Sequence, residues 1–113
     1  MHLTQLEAFG LTLTVESVAA VALAPAFRIA RWNAVASAVL GSSLTHPLLW
    51  YSFYKVYAVL DVYTTPVLEA FVILAEVPFY RVLAKAKWEE AFLLSLLINA
   101  ASWAAGEVIY ALL

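Results

Sequence analysis

The chain has 113 residues, 65% of them hydrophobic and only 12% charged, and its mean hydropathy is +0.91. So little polar side chain cannot cover a water-soluble globule of this size, and the composition predicts an integral membrane protein. A net charge of −2 excludes a basic stripe for nucleic acid, and the absence of cysteine excludes disulfides, thiolate metal sites and thiol redox chemistry.

Four apolar segments are expected to cross the bilayer, which takes roughly 20 residues of helix each. The first runs from about Leu3 to Ala26 and includes Glu7 and Glu16. Ala22-Leu23-Ala24 fits a small-x-small cleavage pattern, but no cationic region precedes the apolar run and Arg28 and Arg31 follow it. A retained span is therefore expected rather than a cleaved leader. The second runs from about Asn33 to Tyr54, where Gly41-Ser42-Ser43 and Pro47 are expected to weaken or break the helix. The third runs from Pro66, as a first helical residue, to about Leu83, and the fourth from about Trp88 to Leu113. Glu89 and Glu90 open the fourth span, where carboxylates favour the positive helix end.

Cations set the expected orientation, since Lys and Arg are retained on the cytoplasmic side. Arg28 and Arg31 lie in the first link and Arg81, Lys85 and Lys87 in the third, whereas the middle link has Lys55 alone. Both termini are accordingly expected outside, with two short basic links in the cytoplasm. Trp32 and Trp88 mark the inner boundary; Trp50, Tyr51, Tyr54, Tyr57 and Tyr63 mark the outer one.

The order of signals occurs twice. Leu6-Glu7-Ala8-Phe9 opens the first span and Leu68-Glu69-Ala70-Phe71 the third; Glu16 and Glu76 follow, then Arg28 and Arg81, then Trp32 and Trp88. This predicts an all-α membrane protein of two tandem helical hairpins, a possible internal duplication that packs as one four-helix domain over residues 1–113.

Charged groups inside a membrane are costly, on the order of 3 kcal/mol, so those present are inward-facing, paired, neutral or functional. Glu69 and Glu76 are two helical turns apart and share a face; Ser95, Asn99, Ser102 and Gly106 draw a polar, small-residue stripe on the fourth span. If the two stripes meet, Asn99 can hydrogen-bond Glu76 or Glu16. Ser37, Gly41 and Gly106 are expected to let helices approach closely, and Glu7 and Glu107 to sit at the outer interface. Glu16, His46, Glu69, Glu76, Asn99 and Ser102 form the candidate proton or cation site, with His46 the one intramembrane group able to become positive and Pro47 opening the helix around Thr45. The structural alternative for the same residues is a hydrogen-bonded packing network. No enzyme signature is present: there is no nucleophile elbow, His-Glu-x-x-His or phosphate-cradling loop.

In length, in its four spans and in a glutamate midway along the first, the chain resembles the small multidrug resistance transporters. That resemblance implies proton exchange for cationic drugs at Glu16, and it rests on Glu16 alone. The chain departs from the family in His46-Pro47 and in the second acid pair of the third span, and its charge bias opposes a dual topology. Two functions are expected from the sequence. One is a non-catalytic accessory subunit of a larger membrane complex in a prokaryotic inner membrane, packed against partner helices or a bound pigment, quinone or lipid. The other is a proton- or cation-coupled carrier or channel acting as a homo-oligomer. No particular cofactor or metal is indicated.

Overall fold

A computed structural model describes residues 4–113, all-α with no strand among them; the expected first residue of the first span, Leu3, lies outside the described residues. Three stretches are each long and apolar enough to cross a membrane: Gln5–Phe27, Arg31–Val82 and Trp88–Leu112.

The first comprises α1, Gln5–Leu23, and a 3-10 turn, Ala24–Phe27. Its start is a reciprocal cap: the Glu7 N–H donates to Thr4 Oγ1 at 3.0 Å and the Thr4 N–H to Glu7 Oε1 at 3.2 Å. Glu7 is thus a capping residue.

The middle stretch has 52 residues and as one straight helix would span about 78 Å, far beyond the 40 Å long axis of the molecule. It doubles back at Asp61, whose φ of 47° and ψ of −116° no helix can contain. It therefore divides into α2, Arg31–Leu60, a 3-10 turn at Asp61–Tyr63, and α3, Thr64–Val82, which packs against α2. The Thr64 hydroxyl ties the turn by donating to the Asp61 carbonyl at 2.7 Å. A short link leads to α4, Trp88–Leu112, where Glu90 Oε1 accepts from the Lys87 N–H at 3.2 Å.

Each helix packs on its chain neighbours, and α4 closes the ring against α1. Packing is antiparallel: Phe9 meets Trp50 near one end and Glu16 meets Ser42 further along. Both basic links therefore lie at one end of the bundle, and the Asp61 turn lies at the other. Arg81 stacks over Trp88 at the basic end, 5.5 Å from the ring centre. That half of the bundle is packed by Ala20, Ala24, Ala34, Ala38, Ala86 and Ala91 with Tyr80, Leu94 and Ile98, all essentially inaccessible. Alanines let the backbones approach until little space remains.

Several sequence expectations are corrected. Helix α2 is not broken at Gly41-Ser42-Ser43 or at Pro47, and it continues to Leu60 rather than ending at Tyr54. Among apolar surroundings a backbone gains more by keeping its internal hydrogen bonds than by relaxing at one proline. Helix α3 begins at Thr64, with Pro66 inside the first turn, where its missing N–H costs nothing.

Candidate functional site

The buried face of α2 is Ala34, Ser37, Ala38, Gly41, Ser42 and Thr45, a spacing of three and four that keeps one helical stripe against its neighbours. Ser37 uses its hydroxyl toward the Asn33 carbonyl at 2.7 Å and the Phe79 carbonyl at 3.3 Å, joining α2 to α3. Further along the stripe, two glutamates meet it from opposite sides. Ser42 Oγ donates to Glu16 Oε2 of α1 at 2.5 Å, and Thr45 Oγ1 donates to Glu76 Oε2 of α3 at 2.8 Å. Glu16 and Glu76 are both fully inaccessible to solvent.

Helix α4 completes the group. Asn99 Nδ2 donates to Glu76 Oε1 at 3.1 Å and to the Ser95 carbonyl at 2.8 Å, while Ser95 Oγ donates to the Ile73 carbonyl at 2.6 Å. Both Glu76 oxygens are therefore satisfied, as a buried carboxyl group requires. Gly41 permits this arrangement, since a Cβ there would lie 3.2 Å from Glu76 Cγ.

Glu16 is less complete. Its Oε1 has no hydrogen-bond partner and faces His46 Nε2 at 3.7 Å, which is also unpartnered and buried. The imidazole is walled by Phe9 and Trp50, with ring centres 6.0 and 6.3 Å away. His46 also lines a half-open cleft of about 170 Å³, together with Thr12, Glu69, Asn99, Ser102, Trp103, Gly106, Glu107 and Tyr110. Among the described residues no Lys or Arg borders this space. The cleft lies on the side of the acids away from the alanine-packed end.

Glu16, His46, Glu76 and Asn99 thus meet in one buried group, whereas Glu69 and Ser102 stand off as cleft walls. Gly106 is corrected: a Cβ there would touch nothing within 4 Å, so it borders open space instead of a neighbouring helix. Thr45 sits in intact helix and bonds Glu76, so Pro47 does not open the backbone there. The transition-metal reading gains no support, because no three His, Asp or Glu side chains among the described residues are arranged to hold an ion. Ser42, Thr45 and Tyr80, the last with a buried, unpartnered hydroxyl, were not singled out as site residues. For Ser42 and Thr45 the signal was available in the small-residue stripe from Ala34 to Thr45.

Comparison with known proteins adds no relative: no family model, curated protein or solved structure matches the chain.

Proposed function

We propose that the chain is a four-span membrane protein of two tandem hairpins, basic links in the cytoplasm and termini outside, working as a proton- or small-cation-coupled carrier or channel. One observation carries this reading: four helices each send polar side chains to a buried acid–histidine group that adjoins a cleft with no Lys or Arg among its described walls. The hairpins support the topology, since in each a polar residue of the second helix, Ser42 or Asn99, bonds a glutamate of the first, Glu16 or Glu76.

Size limits the passenger. Organic ligands generally occupy pockets of about 300–1,000 Å³, and the cleft beside His46 offers about 170 Å³. That cleft therefore suits protons, waters or a small cation. Purified protein in liposomes tests the reading: an imposed pH or cation gradient should drive flux in the parent, and Glu16→Gln and Glu76→Gln should assemble normally but conduct poorly. Equal flux in the parent, both variants and empty liposomes would sink it.

An accessory-subunit role is the second reading, supported by a largely apolar groove of about 600 Å³ between α3 and α4, with Ile73, Leu96, Ala100 and Trp103 in its walls beside Glu69, Asn99 and Glu107. Native mass determination after mild-detergent extraction separates the two, since a subunit should run in fixed stoichiometry with larger proteins.

A further inference from the structure

We propose that His46 is a proton relay that loads Glu16 from the half-open cleft it lines. This rests on the coupled-transport reading and deepens it by making the proton the coupling ion and giving it a one-sided route.

Three observations converge. Glu16 is wholly buried, and one of its carboxyl oxygens has no partner. Facing that oxygen at 3.7 Å is His46 Nε2, likewise buried and unpartnered among the described residues. His46 also lines the cleft and Glu16 does not, so the imidazole stands between the two. Phe9 and Trp50 hold the ring from its sides.

The surrounding groups agree with this role. Facing the pair, α2 supplies the Ser42 hydroxyl, already given to the other Glu16 oxygen, and α3 supplies Glu76, whose two oxygens are occupied by Thr45 and Asn99. Around the cleft α3 adds Glu69 and α4 adds Glu107 and Tyr110. Among the described residues every ionisable group facing the pair or lining the cleft, other than His46, is an acid or a phenol, so none of them is a fixed cation that competes for the Glu16 carboxylate.

A cleft of this size admits water, which needs only about 30 Å³ per molecule. The transfer balances as follows. A proton from the cleft binds imidazole Nδ1, the Nε2–H proton passes to Glu16 Oε1, and a neutral carboxyl group faces a neutral imidazole in its other tautomer. Reverse transfer or a ring flip resets the relay. The observed separation exceeds hydrogen-bond range by roughly 0.5 Å, a gap that side-chain torsions can close.

The test follows the Glu16 carboxyl by infrared spectroscopy of the full chain in detergent, isolated as parent minus Glu16→Gln, after a pH jump or a jump into D2O. All variants carry His2→Ala so that His46 is the one histidine. The Glu16 signal should respond rapidly in the parent, at least tenfold more slowly in His46→Ala, and rapidly again when free imidazole is added. Carbethoxylation of His46 in the chain that carries His2→Ala alone should slow it similarly, which keeps the test decisive if His46→Ala fails to fold. An equally fast response after either loss of His46, failure of imidazole to rescue a folded His46→Ala, or a Glu16 that never takes up a proton would each overturn the relay. Because no gradient is involved, a chain that relays to Glu16 in detergent yet gives no liposome flux would refute the carrier reading alone.

Discussion

Gly41 offers the sharpest test of how the acid network is built. An added Cβ would meet Glu76 Cγ at 3.2 Å and Cβ and Cδ at 3.6 Å, and Glu76 cannot swing aside freely because Thr45 and Asn99 hold its two oxygens. Overpacking of this kind costs about 1–3 kcal/mol, against which alanine recovers up to about 1 kcal/mol of helix propensity. Gly41→Ala should therefore lose about 1 kcal/mol. Gly41→Leu should lose about 3 kcal/mol or more, since it must also break hydrogen bonds to a buried carboxyl group. Denaturant or SDS titration in mild detergent, followed by tryptophan fluorescence, measures both. The decisive comparison is a double-mutant cycle, because Glu76→Ala removes the Cγ and Cδ that the new methyl would strike. In that background Gly41→Ala should become neutral or gain up to about 1 kcal/mol of helix propensity, giving a coupling of about 1–2 kcal/mol. Equal costs in the two backgrounds would refute the claim that Gly41 exists to admit the Glu76 side chain.

Other outcomes follow from the same contacts. Gly106→Ala, which meets nothing within 4 Å, should be neutral or gain up to about 1 kcal/mol in the same titration. Thr45→Val keeps the shape but removes the donor to Glu76 Oε2, so it should cost about 1–3 kcal/mol, whereas Thr45→Ser should stay near the parent. Glu76→Gln should cost less than about 1 kcal/mol, because the Thr45 hydroxyl can turn to accept from the new amide while Asn99 still donates to its oxygen; a larger loss would point to an ionised, tightly held carboxylate. Asp61 has φ 47° and ψ −116°, a conformation tolerated mainly by glycine, so Asp61→Gly should gain about 1 kcal/mol in a thermal scan.

Much of the fold was legible because the bilayer leaves few choices. Long apolar runs must become helices whose backbones satisfy themselves, and the expected limits of the first and fourth spans lie close to those of Gln5–Phe27 and Trp88–Leu112. The middle of the chain was read less well. Glycine, serine and proline at 41–47 are helix breakers by propensity, yet α2 passes through them unbroken, since propensity is a weak term beside buried hydrogen bonding.

The sequence by itself determined that the chain is apolar and helical, that its cations gather in two links, and that several acids must lie deep among apolar residues. Those are consequences of composition and of a period along one chain. Tertiary structure decided which of these residues share a site. Glu16 and Ser42 are separated by 26 positions and Thr45 and Glu76 by 31, so no local spacing could have paired them; for Asn99 the helical stripes offered Glu76 or Glu16, and the packing selects Glu76. It also decided that Gly41 touches a glutamate while Gly106 faces open space, because the approach of two helices depends on how the whole ring closes.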